Sequence, residues 1–234
     1  TSYPNYEVIV VDNDSRERET LDYLASFGGR VIRDPEEFNF SRMINIAAEQ
    51  ADCDALLLLN NDTEVISPGW MEALLEHGMR PEVAAVGARL LYPDGRAQHE
   101  GVIIGLVGPA ANVDHGDYFG MGRCVRNFSA VTAACMLVRS SVFSELGGFD
   151  EKLPVAFNDV DFCLRAREKG YLVVYTPFAT LYHKESSSRG AMHPLDDERR
   201  FSERWGKRGE YYDPYYNPNF SPQFPFKLRL EPPD

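Results

Sequence analysis

Apolar and polar positions change period repeatedly along this chain. The run EVIVV, ending at Asp12, has the β-branched, unbroken character of a buried strand, and RERETLDYLASF then spaces its apolar residues as a helix does, up to Gly28 and Gly29. RVIRD predicts a second strand, FSRMINIAAEQA a second helix and ALLLL a third strand. This alternation predicts an α/β fold, with a mixed, mainly parallel sheet flanked by helices. Ser67 ahead of Pro68 is a candidate N-cap for the helix GWMEALLEH, and AAVGARLLYPDGRAQHEGVIIG reads as two strands around a Pro-Asp-Gly turn. From Leu106 to Asn127 glycine, polar and aromatic residues mix without period, as in a long loop. SAVTAACMLV predicts a strand, SSVFSEL a short helix closed by Gly147 and Gly148, and NDVDFCLRAREKG a helix closed by Gly170. YLVVYT and ATLYH complete the strands, and a charged helix around DDERRFSERWGKR leads into an arm rich in Pro, Tyr and Phe. The expected organisation is one domain over residues 1–194, with residues 195–234 forming a helix and arm packed upon it.

Composition narrows the function. With 234 residues, 44% of them hydrophobic, the chain can bury one sizeable core. A formal net charge of -12 and a pI near 4.9 argue against nucleic acid as the main partner, because phosphate backbones are held by clustered Lys and Arg. The four cysteines form no C-x-x-C pair and two fall in apolar periodic segments, as reduced, buried thiols do; this fits a cytoplasmic protein, at most peripheral to the inner face of a membrane. No apolar run approaches the roughly 20 residues of a membrane span. A strand begins almost at Thr1, so a larger polypeptide is the expected context.

Candidate chemistry lies at strand ends, where ligands gather in open α/β sheets. The apolar LLLL stops abruptly at Asn60, Asn61 and Asp62. A carboxylate there suits Mg²⁺ or Mn²⁺, which bind one or two acids together with substrate phosphates, and the two amides could orient ribose or phosphate. NNDT is equally a good turn sequence. Asp12 ends the first strand and could accept from a base N–H or a ribose hydroxyl; alternatively Asp12, Asn13 and Ser15 cap the following helix. In FNDVDFCLRAREKGY, Asn158 and Asp161 have the spacing of a reciprocal helix cap, while Asp159 in the first turn could take a proton from a hydroxyl nucleophile or be an ordinary helix-start acid. His183 ends the last strand and becomes a metal ligand if Asp62 holds one; Lys184 and Arg189 could neutralise phosphates. Arg42 and Asn45 share one helix face.

Taken in order, YPNYEVIVVDNDS, FNFSRMINIAA, LLLLNNDTEV, CMLVRSSVFSELGGFDE, FNDVDFCLRAREKGY and YHKESSSRG resemble the family-2 inverting glycosyltransferases of the GT-A fold, especially bacterial polysaccharide and rhamnosyltransferase-like members. The resemblance covers nearly the whole chain, including DPYYNPNFS in the arm. It implies that Asp12 contacts the donor's base, Asp62 is the last acid of a D-x-D-type metal motif, Asp159 is the catalytic base, Asn45 belongs to an Arg-Asn helix signature, and His183 lies near metal and diphosphate. It further implies transfer of a sugar from a nucleoside-diphosphate donor to a glycan or lipid-linked glycan acceptor, with inversion in one in-line displacement. Asn60 and Asn158 stand where relatives often carry acids, and the family's usual first strand, of the IPTYN kind, is not in the sequence. Competing readings are a receiver-like phosphoacceptor domain, since VIVVDND precedes a strand-end Asp62, and a non-catalytic polysaccharide-assembly module. YTPFA stands where the receiver's Lys-Pro would be sought, and no G-x-G-x-x-G supports a dinucleotide enzyme.

Overall fold

A computed structural model describes residues 1–114, 118–184, 194–206 and 213–229. The chain opens with β1 (Ile9–Asp12), α1 (Arg18–Ser26) and β2 (Arg30–Arg33), and the two strands pair in parallel from Ile9 opposite Arg30 to Asp12 opposite Arg33. α2 (Phe40–Gln50) is capped by the Asn39 side chain, which accepts from Arg42 N, and turns Phe40, Ile44 and Ala48 inward at intervals of four. Next come β3 (Ala55–Leu59), β4 (Thr63–Val65) and α3 (Trp70–Gly78). Ser67 does not cap α3. Gly69 precedes the helix without a side-chain cap, the Pro68 carbonyl is tied to both the N–H and the hydroxyl of Ser2, and Ser67 Oγ is buried without a partner.

β5 (Val83–Leu91) turns back through Gly95, at φ 86°, into β6 (Ala97–His99), and β7 (Val102–Ile104) pairs with β8 (Ala110–Asn112). Thus part of the expected long loop is a hairpin, and another part is the edge strand β9 (Arg126–Phe128). β10 (Cys135–Arg139), α4 (Ser140–Glu145), α5 (Asn158–Glu168), β11 (Leu172–His183) and α6 (Leu195–Trp205) complete the fold. The two predicted final strands are one, with an irregularity between Thr176 and Thr180. The strand expected over SAVTAACMLV is confined to its second half.

The larger sheet has seven strands, with the path β3-β10-β5-β11-β4, β6 beside β5 and β9 beside β11. It is mixed, as expected, but among the described strands parallel pairing is limited to β1 with β2 and β5 with β11. An apolar run does not report strand direction, which is why the sequence overstated the parallel share. Nor are the apolar runs of β1 and β3 as buried as expected, since both strands are mostly half-buried and Leu59 is exposed. Alternation along the strands divides the core between two faces: Leu58, Ala85, Met136, Val138, Val173 and Tyr175 face α2, α4 and α5, while Val86, Ala88, Leu137 and Val174 face α3. α6 adds Phe201 and Trp205 to the first face, and Tyr215, Tyr216 and Phe226 of the arm pack there too.

β11 runs along one edge of β5 for nearly its full length, so β10 and β6 share the other edge. The chain bends before Cys135, and β6 takes the edge that β10 leaves. This arrangement sets the site.

Candidate active site

Asp62 meets His183 because β4 pairs antiparallel with the end of β11. Thr63 lies opposite His183, and Lys184 N donates to Asp62 O at 2.9 Å. His183 Nε2 stands 3.2 Å from Asp62 Oδ1 and 3.3 Å from Asn60 Nδ2. That Asp62 oxygen is buried and accepts no hydrogen bond. A carboxylate oxygen in this position, beside an imidazole nitrogen, has the chemistry of a cation ligand. Among the described residues no cluster of three or more His, Cys, Asp or Glu is assembled. Two protein ligands are nevertheless compatible with Mg²⁺ or Mn²⁺ that keeps water and takes substrate phosphates. The donor set therefore fits a divalent ion.

Asp159 lies on the same rim. Its Oδ2 accepts from Ala133 N at 2.9 Å and its Oδ1 from Val160 N at 2.8 Å, and the Thr132 hydroxyl also bonds to it. One residue on, Ala134 O accepts from Asn60 N at 3.0 Å, so the bend before β10 joins the base candidate to the Asn60–Asp62 turn. Burial raises the Asp159 pKa above its ordinary value, against the opposing pull of these hydrogen bonds. A carboxylate tuned upward while remaining at a rim suits proton removal.

The helix carrying Asp159 begins differently from the sequence reading. Phe157, at φ 60°, precedes α5, and Asn158 is already helical, its amide directed to Leu153 O. Asp161 makes no reciprocal cap: fully buried, it accepts from Arg165 at 2.7 Å and from Trp205 Nε1 at 2.9 Å, with Arg204 at 3.0 Å. A left-handed phenylalanine is uncommon, and it is held by stacking on Phe201 with ring centroids 4.8 Å apart.

Asp12 is buried at the end of β1, accepting from Ser15 N at 3.0 Å and paired with Arg33 at 3.1 Å. It does not cap α1, which follows Glu17. Asn13 bonds to the carbonyls of Asp34 and Glu36, and Asp34 pairs with Arg42 at 2.7 Å. Arg42 is thus committed on one side to Asp34 and the Glu37 carbonyl. Asn45 braces the fold: its amide donates to Phe149 O and Glu151, and accepts from Phe149 N at 2.9 Å. With both amide hydrogens so engaged, Asn45 joins α2 to the loop after α4. Asn61 is exposed, and Lys184 pairs with Glu64 at 3.2 Å. Arg189 lies outside the described residues.

Sequence reasoning overlooked four contributors. Gln98 Oε1 meets His183 Nδ1 at 2.7 Å; the buried His99 bonds to Asn112 and receives Thr132 N at 3.5 Å; Thr132 touches Asp159; and Asp197 holds the backbone ahead of α5. The available signal was the polar run Gln98-His99-Glu100 interrupting apolar strands. All three are buried, Glu100 against Arg89 at 2.9 Å.

A mixed sheet flanked by helices is the architecture of GT-A glycosyltransferases. Solved structures agree. The chain matches GalNAc-T7, solved with UDP, GalNAc and Mn²⁺, at a TM-score of 0.68 and 16% identity over 86% of this chain and 42% of that one. It matches the mannosyltransferase PcManGT of Pyrobaculum calidifontis, solved with GDP-Man and Mn²⁺, at a TM-score of 0.56 and 14% identity, covering 78% of this chain and 48% of that one. The family model described as glycosyl transferase family 2 matches residues 1–147, and the chain belongs to that family. Among curated relatives it is 42% identical over 92% of its length to the uncharacterized protein y4gI of Sinorhizobium fredii. It is 41% identical over 82% of its length to the O-antigen biosynthesis protein RfbC of Myxococcus xanthus. The chain spans 26% of the first relative and 16% of the second. Among the described residues no helix is long and apolar enough to cross a membrane.

Proposed function

We propose that the protein transfers a sugar from a nucleoside-diphosphate donor to a hydroxyl of a glycan or lipid-linked glycan precursor, with inversion and with the help of Mg²⁺ or Mn²⁺. The observation that carries this reading is the buried Asp62 Oδ1, which accepts no hydrogen bond and lies 3.2 Å from His183 Nε2, on the rim that also holds Asp159. Asp159 acts as general base, drawing the proton from the acceptor hydroxyl as that oxygen attacks the anomeric carbon from the side opposite the diphosphate. The Ala133 and Val160 N–H groups fix the carboxylate's orientation. Asp62 and His183 would hold the metal, whose contribution is to offset charge developing on the departing diphosphate. Asn60 and Asn61 orient ribose or phosphate, Lys184 and Arg189 supply positive charge, and Asp12 meets the base of the donor. Bacterial polysaccharide assembly at the cytoplasmic side of the envelope is the proposed setting; the name of the Myxococcus relative supports it.

The test is Asp159→Asn. Transfer should fall by roughly 10²–10⁴-fold while donor affinity is retained. Calorimetry with a panel of nucleoside diphosphates, with Mn²⁺ and then with chelator, identifies the base and the metal requirement. Undiminished transfer by Asp159→Asn would remove the assigned base.

A further inference from the structure

Gln98 occupies an irregular position in the sheet. β6 pairs with β5 through His99 opposite Leu90 and Ala97 opposite Leu91, leaving Gln98 as the extra residue between two paired ones. Such a bulge re-aims a side chain. Gln98 is buried and contacts His183 twice: Oε1 meets His183 Nδ1 at 2.7 Å, and Nε2 meets the His183 backbone carbonyl at 3.4 Å.

The donor inventory decides the protons. A carbonyl oxygen only accepts, so the Gln98 NH₂ must face His183 O, which turns Gln98 Oε1 toward the ring. An amide oxygen also only accepts, so Nδ1 must carry hydrogen. In the neutral imidazole Nε2 then keeps its lone pair, directed to the side where Asp62 Oδ1 lies at 3.2 Å and the Asn60 amide nitrogen at 3.3 Å. Two lone-pair-bearing atoms facing each other form a poor pair without a cation and a good one around it.

We infer that Gln98 is a positioning residue: from its bulge in β6 it locks His183 in the Nδ1–H tautomer, so that Nε2 is offered with Asp62 to a divalent cation. This rests on the metal reading above and extends it to the residue that prepares the ligand. Partners on the far nitrogen of a metal-bound histidine commonly matter by 10–100-fold in affinity.

The experiment compares the wild type with Gln98→Leu and Gln98→Glu. Nitrogen-15 NMR of the metal-free protein reads the His183 tautomer directly, and calorimetry with Mn²⁺ alone reads the site. The wild type should show protonated Nδ1 and unprotonated Nε2. Gln98→Leu should lose that single tautomer and bind Mn²⁺ about 10–100-fold more weakly. Gln98→Glu keeps an acceptor for Nδ1–H and should retain the tautomer and most of the affinity, although a buried carboxylate makes it the less stable of the two folds. A merely structural role gives the opposite order, with Leu binding better than Glu, and would overturn the inference. So would protonated Nε2 in the wild type. If the tautomer depends on Gln98 but the wild type binds no Mn²⁺, the metal reading itself has failed, and the role assigned to Gln98 falls with it.

Discussion

Replacing Asp197 by alanine tests whether α6 supports the base it does not contain. Asp197 lies in the first turn of α6, 2% exposed, and its Oδ2 accepts from Val155 N at 2.9 Å and Ala156 N at 2.8 Å. Those two residues lead into Phe157 and Asp159. Hydrogen bonds to a charged acceptor contribute about 1.5–3 kcal/mol each, and the partial exposure of residues 155 and 156 lets water recover some of this. The expected loss for Asp197→Ala is therefore about 2–4 kcal/mol. Left-handed Phe157 adds about 1–2 kcal/mol of backbone strain that the anchored loop now opposes. Once the anchor is gone, the strain favours rotation of the segment, carrying Asp159 away from Ala133 N. Urea unfolding should show a lower midpoint at unchanged slope. Turnover should fall by about tenfold or more, as expected if the displaced group is the proposed base, while Mn²⁺ binding, which the proposal assigns to Asp62 and His183, is unchanged. Asp197→Asn, which keeps one oxygen acceptor, should recover much of both. Alanine at 197 with stability within about 0.5 kcal/mol of the wild type and full turnover would refute the bracing role.

Other expectations follow from single sites. Because burial raises the Asp159 pKa above 3.8, the acid limb of the pH–rate profile should lie above the ordinary carboxylate range; a limb at or below 3.8 would contradict the assignment. The same group binds protons more readily when folded, so its contribution to stability is full below pH 3.8 and is lost as pH rises through the folded pKa, a slope that Asp159→Asn should lack in urea titrations. Gly148→Ala should destabilise by about 2–3 kcal/mol, because φ is 70° and the added carbon would stand 2.5 Å from Asn45 Oδ1; denaturation reads this directly. In the folded protein a thiol reagent followed by mass spectrometry should label exposed Cys53 and Cys124 and spare Cys135 and Cys163, whose thiols burial pushes up, that of Cys163 to about 12.

The linear sequence determined most of the elements and the acids at strand ends, because period and abrupt polarity changes are local properties. VIVVD and LLLLNND announce strands with polar ends whatever surrounds them, but not their burial: β1 and β3 are mostly half-buried, with Leu58 buried and Leu59 exposed. Strand direction was not local: β10 enters antiparallel between β3 and β5, and no feature of CMLVR distinguishes that from a parallel place. The sequence read Asp159 as the base candidate and Asp161 as structural, two acids on one helix turn, but could not say what either would touch. Packing gives the first to the Ala133 bend at the rim and the second to Arg165, Trp205 and Arg204 inside. Likewise Asn45 has the spacing of a ligand-facing residue, yet its bonds go to Phe149 and Glu151. Gln98 and His183 meet from 85 positions apart. Hydrophobic period specifies which face a residue presents, whereas a hydrogen bond between distant residues depends on how bulges, bends and helix docking aim each side chain, and those directions exist only once the chain has closed upon itself.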